Sequence, residues 1–322
     1  MAVYPNSFCL SFCNWMLNTS WQVLTPPRLA LITDVYNAAL AGSSVTDQVY
    51  NNFTQTTSWR LPFYEAYLQN NTPFSLPPVG TCDYWGSAPY LKRNIVSTFG
   101  TVNFSGTVTR LNDALGGVCY GQQALAARLP FIIHDDSAAY ARSALGFNVS
   151  AVNNFQLTNF GTMTQNTAGY TIFVVANSAN LFAINWAFYF AVNTSAAKAR
   201  IGLYVNASNI WVGQGCRLDA DAVGNIAANA STNAFQIVGL KIDYSTGQGK
   251  MFMNGALVST NNALTSAGNT SNTACFTASI GSLNQANIWN GNILDCLAFQ
   301  GALSDVDMVT ISDWLNDLRS VY

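Results

Sequence analysis

Residues 235–260 read FQIVGLKIDYSTGQGKMFMNGALVST, and this stretch decides the fold. Apolar side chains stand at every second position from Val238 to Tyr244, and Lys241 and Asp243 stand between them. A period of two is typical of a β-strand in an antiparallel sheet with one face buried. STGQG supplies a turn, and Asn254-Gly255 supplies a second turn of type I′, in which both central residues need positive φ. The stretch therefore predicts three consecutive antiparallel strands.

The same kind of pattern repeats after residue 128. Short segments rich in β-branched and aromatic residues alternate with clusters of Gly, Asn, Ser or Thr, which is typical of a β-sandwich or barrel. The clearest segments are YTIFVVANS, NWAFYFAVNT, ARIGLYVNA, SNIWVGQG, CFTASIGS and ILDCLAFQGAL. No helical pattern of 10 to 15 residues separates them, so a parallel sheet is disfavoured.

One helix is predicted at the end of the chain, in LSDVDMVTISDWLNDLRS. Ser304 is its predicted N-cap, and Asp305 and Asp307 fall in the first turn, where negative charge is favourable. Its apolar stripe consists of Met308, Ile311, Leu315 and Leu318. The stripe predicts that the helix packs on the sandwich.

The chain before residue 125 has a different character. It contains the proline-rich segment NNTPFSLPPVGT and a helix signal from Thr25, as cap, to Gly42, as terminator. GTVNFSGTVT, at residues 100–109, predicts a short strand pair or an extended arm. We therefore predict a smaller mixed α+β anchoring or adaptor module at residues 1–125 and a mainly β domain at residues 126–322.

Composition narrows the class of partner. Of the 322 residues, 9% are charged and the net charge is −2, which does not provide the positive surface that nucleic acid requires. No stretch approaches the ~20 uninterrupted apolar residues of a membrane span, and MAVYPNSFCLSFCNW does not have the pattern of a secretory signal. A surface made polar by Asn, Ser, Thr and Gln is associated with extracellular and particle-bound proteins.

The cysteines do not form a recognisable disulfide framework or metal motif. Their number is seven, which is odd, and we interpret them as reduced small hydrophobic residues. Cys9 and Cys13 have a gap compatible with zinc, but no second pair follows, and His134 is the single histidine. The segment His134–Asp136 could hold a metal or act as a base; a strand end is the simpler interpretation. No resident cofactor is predicted.

Two linked segments carry a family resemblance. They are FQIVGLKIDYSTGQGKMFMNGALVST and ASIGSLNQANIWNGNILDCLAFQGALSDVDMVTISDWL. Together they resemble the concanavalin A-like lectin/glucanase superfamily in its laminin G-like jelly-roll form. The resemblance implies a C-terminal two-sheet antiparallel β-sandwich that binds carbohydrate or protein and in some members cleaves glycans. Because a fold alone does not assign a function, the candidate residues decide between these activities.

Trp211 and Trp289 are the aromatic candidates for a ligand site. Each stands beside Gly and Asn turn residues, in NIWVG and NIWNGN, where an indole can stack on a sugar ring or belong to the sandwich core. Asn290, next to Trp289, is included as a candidate polar ligand contact.

Asp219 and Asp221, in CRLDADAVGN, are the carboxylate candidates. Side chains two residues apart share a face of a strand, as a glycosidase pair requires, but the flanking Ala and Gly indicate a loop. With Asn225 the two carboxylates could alternatively ligate calcium; solvated loop residues are the simplest interpretation. We do not predict catalysis, because a general acid with a raised pKa has no obvious apolar pocket here.

Three hypotheses about function follow from these observations. The first is a structural protein of a bacteriophage particle (a head decoration, a fibre or spike, or a tail component), located in the virion after assembly in the host cytoplasm. Its N-terminal module would bind other virion proteins, its sandwich would bind a cell-surface glycan or stabilise the capsid or tail, and it would form a homo-oligomer. The second is a secreted bacterial carbohydrate-binding module, and the third is a glycan-cleaving enzyme.

Overall fold

The computed structural model describes residues 37, 78, 82–87, 100–102, 108–112, 119–133, 144–160, 162–179, 183–192, 198–230, 233–283, 285–319 and 321. The chain divides into two compact units, Met1–Ser75 and Leu76–Tyr322. Nearly all the described residues belong to the second unit. The predicted helix between Thr25 and Gly42 lies outside the described residues, except for Asn37, which is helical.

The second unit is an antiparallel β-sandwich of two sheets. The eight-stranded sheet contains, in spatial order, β15 (Ala256–Asn261), β14 (Gln248–Met253), β13 (Gln236–Asp243), β8 (Gly169–Ser178), β17 (Gly291–Gln300), β6 (Ala144–Phe147) and β5 (Phe131–Ile133), with β1 (Cys82–Ser87) beside β17. The nine-stranded sheet contains β12 (Gly224–Ala230), β11 (Ile210–Gly215), β10 (Ala199–Val205), β9 (Asn185–Ala191), β16 (Thr277–Ile280), β7 (Phe155–Thr158), β4 (Tyr120–Gln122), β3 (Val108–Asn112) and β2 (Gly100–Val102). The predicted fold class is confirmed.

The three strands predicted from residues 235–260 form as expected. β13 pairs with β14 and β14 pairs with β15, both antiparallel. Between β14 and β15, Asn254 and Gly255 have φ angles of 48° and 77°, as a type I′ turn requires. In the preceding turn Gly247 has a φ angle of 77°. The turns therefore explain Gly247 and Gly255, whereas Gly239 and Gly249 lie within β13 and β14.

The main core fills the space between the sheets. The alternate residues Val238, Leu240 and Ile242 of β13 point into it, and so do Phe188 and Phe190 of β9. All five side chains are fully buried. Removal of this apolar surface from water is the principal force that holds the two sheets together.

The C-terminal helix α1 (Asp305–Arg319) packs on the outer face of the eight-stranded sheet. Its cap is as predicted: Ser304 Oγ accepts a hydrogen bond from Asp307 N at 3.1 Å and donates one to the Asp307 carboxylate at 2.8 Å. Met308, Ile311 and Leu315 are fully buried; the side chain of Leu318 lies outside the described residues. Among the described residues, no helix has the length and apolar character needed to span a membrane.

Ion pairs attach both ends of α1 to the sheet. At the first turn, the Asp305 carboxylate receives Lys241 Nζ at 2.6 Å and Lys250 Nζ at 2.7 Å. Hydrogen bonds from these two lysines lower the pKa of Asp305. At the last turn, Arg319 donates to both oxygens of Asp295, at 2.6 and 3.0 Å, and both side chains are buried. The negative charge of Asp305 at the start of the helix and the positive charge of Arg319 at its end also interact favourably with the helix dipole.

The predicted domain boundary at residue 125 is corrected by the sheet topology. β1, β2, β3 and β4 all precede that residue, yet β1 pairs with β17 and β4 pairs with β7. The chain instead divides after Ser75. These strands are only three to six residues long, so their sequences are too short to show a clear period of two. Each of β1 and β4 pairs with a strand that is distant in the sequence.

The strand pair predicted in GTVNFSGTVT is confirmed as β2 and β3.

Gly281 provides a test of the packing between the sheets. Its φ angle is 79°, and a Cβ atom there would lie 2.2 Å from the Phe147 ring. We expect Gly281→Ala to lower the free energy of unfolding by ~2–4 kcal/mol, because backbone strain and overpacking add. Urea denaturation measures the loss. Gly301→Ala is the matched control: its φ is 92° with nothing within 4 Å of the added Cβ, so only backbone strain is expected. Equal losses in the two variants would contradict the predicted clash.

Candidate functional site

The residues predicted as a site lie at two opposite ends of the sandwich. Gln236, the first residue of β13, bonds to Trp211, whereas Tyr244, just beyond the last residue, bonds to Arg200, the ion-pair partner of Asp219. A strand of eight residues spans ~25 Å. The tryptophans and the aspartates therefore cannot contact one small ligand together.

The tryptophan end belongs to the core, which corrects the stacking hypothesis for Trp211 and Trp289. Both indoles are 0% exposed, and their ring centroids lie 5.3 Å apart at an interplanar angle of 31°. Trp211 Nε1 donates to Gln236 Oε1 at 2.9 Å. Neither ring offers a face to a sugar. Asn290 is half-buried, and its Nδ2 donates to the Ala179 carbonyl at 3.2 Å.

The aspartate end is built from two loops, residues 216–223 between β11 and β12 and residues 262–276 between β15 and β16. Polar side chains from these loops and from the start of β10 form two neighbouring hydrogen-bonded groups, one around Asp219 and one around Asp221, which the backbone bond from Ser271 N to the Arg217 carbonyl joins and which we name together the Asp219 cluster. Its members are Lys198, Arg200, Arg217, Asp219, Asp221, Ser266, Ser271 and Thr273.

Arg200 is the buried support of the cluster. Its side chain is 0% exposed, and Nη2 donates to the Asp219 carboxylate and, at 2.5 Å, to Ser271 Oγ. Nη1 donates to the Cys216 carbonyl at 3.4 Å. Nε has no hydrogen-bond partner among the described residues. A buried guanidinium requires a paired anion, and Asp219 provides it.

Asp219 presents a fixed carboxylate to solvent. Ser271 Oγ donates to its Oδ1 at 2.8 Å and Thr273 Oγ1 to its Oδ2 at 2.5 Å, yet the side chain is 46% exposed. Partial burial acts to raise the pKa of Asp219, but the hydrogen bonds from Thr273, Ser271 and Arg200 outweigh it, so the pKa lies below its ordinary value. Asp219 is therefore ionised at neutral pH.

Asp221 holds the first loop in place. Its Oδ2 accepts hydrogen bonds from Leu218 N at 3.1 Å and from Ser266 Oγ at 2.7 Å, and Arg217 Nε lies 3.9 Å away. Lys198 Nζ donates to the backbone carbonyl of Asp221 at 3.1 Å. Asp221 thus joins the two loops of the cluster, as a structural carboxylate does.

The geometry does not resemble a catalytic pair or a metal centre. Asp219 and Asp221 have separate partners, and a general acid requires a raised pKa, the opposite of the shift at Asp219. Asn225, the third predicted calcium ligand, lies on β12 opposite Gln214. Within the described ranges, no three His, Cys, Asp or Glu side chains are grouped so as to hold a metal. His134 and the Cys9–Cys13 pair lie outside those ranges, and the described cysteines are free thiols.

Phe276 is the residue that sequence reasoning missed. It closes the second loop, its N donates to the Ala191 carbonyl at 2.9 Å, and its side chain is 72% exposed. It follows Thr273 by three residues, so their Cα atoms lie at most ~11 Å apart. Phe276 stands two and four residues before Ala278 and Ile280, which are buried in the core, and side chains two apart on a strand share a face. Alternation would therefore have placed it inside, and no sequence signal indicates its exposure.

Scans against protein-family models and against curated proteins give no match. Solved structures similar to this chain include the Ruminococcus gnavus IT-sialidase CBM40 bound to α2,3-sialyllactose, with 19% identity over 47% of this chain and 85% of that one and a TM-score of 0.40. The K499G mutant of NanB sialidase from Streptococcus pneumoniae is 12% identical over 52% and 27% of the two chains, with a TM-score of 0.42. The botulinum neurotoxin type G receptor-binding domain is 12% identical over 73% and 52%, with a TM-score of 0.46.

These similarities concern the fold alone and assign no ligand to this chain. The second unit is a two-sheet antiparallel β-sandwich, an architecture compatible with the concanavalin A-like superfamily that its sequence resembles.

Proposed function

We propose that the sandwich is a non-catalytic glycan-binding module whose site is the Asp219 cluster together with Phe276. The observation that carries the proposal is the 72% exposure of Phe276 in the loop that also holds Thr273 against Asp219. An exposed aromatic ring and a fixed polar group in one loop are the two kinds of contact that a sugar requires, because a sugar ring has an apolar face and hydroxyl-bearing edges.

Preorganisation favours binding at this end of the sandwich. The Asp219 carboxylate is already positioned by Arg200, Ser271 and Thr273, so a ligand does not have to order it. Ordering side chains on binding costs free energy and weakens the affinity. Because this carboxylate is already ordered, that cost is avoided. The same fixed, ionised state of Asp219 supports a binding role over glycan cleavage, because cleavage needs a carboxylic acid that donates a proton.

We propose in addition that the module is displayed on a virus particle as a homo-oligomer. A composition with 9% charged residues and an abundance of Asn, Ser and Thr supports this setting by association. Repetition of weak sites on one particle would raise the avidity without any new contact. Mass spectrometry of purified particles tests the setting; a protein absent from the particles would contradict it and would leave the glycan-binding proposal standing.

Phe276→Ala is expected to weaken glycan binding by about tenfold, which corresponds to ~1.4 kcal/mol, because the stacking face is lost. A glycan array first identifies the bound sugars, and titration of the best of them then compares the variant with the parent protein. The melting temperature should stay unchanged, since the side chain is mostly in solvent.

Leu257→Ala is the matched control for Phe276→Ala. Leu257 is 47% exposed and lies on β15, away from the Asp219 cluster. Its removal should leave both stability and binding unchanged. No binding to any glycan on the array would overturn the proposed function, and equal affinity of Phe276→Ala and the parent protein would remove Phe276 from the site.

A further inference from the structure

We infer that the Asp219 cluster selects glycans with hydroxyl or amino donors and rejects acidic glycans. The inference rests on the proposed function and adds the chemical class of the ligand. It follows from the hydrogen-bond capacity that the cluster leaves free and from the sign of the charge that it presents to solvent.

The free hydrogen-bond capacity at Asp219 is that of an acceptor. Oδ1 already receives Arg200 Nη2 and Ser271 Oγ, whereas among the described residues Oδ2 receives only Thr273 Oγ1. Since each carboxylate oxygen has two lone pairs, the described part of the chain leaves one position on Oδ2 open. A ligand that fills it must donate a proton, which a sugar hydroxyl or ammonium does and a sugar carboxylate does not.

The positive groups of the cluster are buried or partly buried, and each donates hydrogen bonds to the protein. Arg200 is 0% exposed, and Arg217, which is 16% exposed, donates to Ser266 Oγ at 2.8 Å and to the Asn269 carbonyl at 3.1 Å. Lys198 is half-buried and donates to the Asp221 carbonyl. The Asp219 carboxylate is 46% exposed. A ligand therefore meets a negative charge in front of a buried positive one.

The inference is tested with immobilised oligosaccharides in matched sets that share one backbone and differ in charge. Each set contains a neutral member, an amino-bearing member and acidic members that are sialylated, sulfated or uronic. The neutral and amino members should bind at least about tenfold more tightly than the acidic ones at low salt. The difference should shrink as the salt approaches about 1 M, where charges are screened within ~3 Å.

Two variants assign the selectivity to Asp219. Asp219→Asn keeps the size of the side chain and removes its charge, so the discrimination against acidic members should fall severalfold. Because this variant leaves Arg200 without its anion, its folding is checked by thermal melting. Thr273→Val removes one hydroxyl and no charge; it should weaken the binding of neutral members and leave the acidic-to-neutral ratio unchanged.

The possible outcomes separate the two proposals. If no member of any set binds, the proposed function itself fails. If acidic members bind as tightly as neutral ones, or if Asp219→Asn leaves their ratio unchanged while Phe276→Ala abolishes binding, the glycan-binding function stands and the inferred selectivity is overturned.

Discussion

Arg319→Ala is expected to lower the free energy of unfolding by ~3–5 kcal/mol, because it leaves the buried Asp295 carboxylate without its cation. Arg319 donates to both oxygens of Asp295, and the two side chains are 4% and 0% exposed. A buried charge that loses its partner retains the full cost of desolvation. Urea denaturation followed by circular dichroism measures the loss.

Two further variants show whether burial is the cause of that loss. Lys250→Ala removes a cation from the other end of α1, where the Lys250 and Asp305 side chains are 20% and 47% exposed. Solvent screens this pair, so the expected loss is ~0–1 kcal/mol. Replacing Asp295 and Arg319 together with Leu and Met should restore much of the stability, since a well-packed apolar pair can substitute for a buried ion pair. Equal losses in Arg319→Ala and Lys250→Ala would contradict this account.

The attachment of α1 shows which contacts a sequence pattern predicts and which it does not. Its cap and apolar stripe follow local rules, and Ser304, Met308, Ile311 and Leu315 are where those rules place them. The ion pairs do not follow local rules. Asp295 and Arg319 are 24 residues apart and Lys250 and Asp305 are 55 apart, so only the packing of α1 on the sheet brings them together.

The sheets show the same distinction. β13, β14 and β15 are joined by short turns, and alternation with turn chemistry predicts all three. β12 has the sequence GNIAANA, which lacks β-branched residues apart from Ile226; it was not predicted. β1 pairs with β17 across more than 200 residues. A strand of this kind forms because of its pairing with a distant strand, and a local sequence pattern does not contain information about that pairing.

The candidate site was predicted in part. The loop position of Asp219 and Asp221 follows from the flanking Ala and Gly residues, and the loop is confirmed. The partners of Asp219 come from residue 200 on one side and residues 271 and 273 on the other, a convergence that depends on the β10–β11 and β16 geometry. The exposure of Phe276 is the opposite of what alternation with Ala278 and Ile280 predicts, because the regular strand begins only one residue later, at Thr277.

Trp211→Ala is expected to lower the free energy of unfolding by ~3–5 kcal/mol, as large-to-small changes at fully buried aromatic residues do. The indole is 0% exposed, contacts the Trp289 ring and donates to Gln236 Oε1. Its removal therefore leaves a cavity and takes one hydrogen bond from the buried amide oxygen of Gln236. The loss is measured by urea denaturation, under conditions where the variant is folded at the start.

Trp211→Phe separates the two components of that loss. It keeps an aromatic ring in the core and removes the hydrogen bond to Gln236, so a smaller loss of ~1–3 kcal/mol is expected. In both variants the affinity of the folded fraction for a glycan should equal that of the parent protein, because Trp211 lies at the opposite end of β13 from the Asp219 cluster. A weaker affinity with unchanged stability would restore Trp211 as a ligand contact and would move the site away from Asp219 and Phe276.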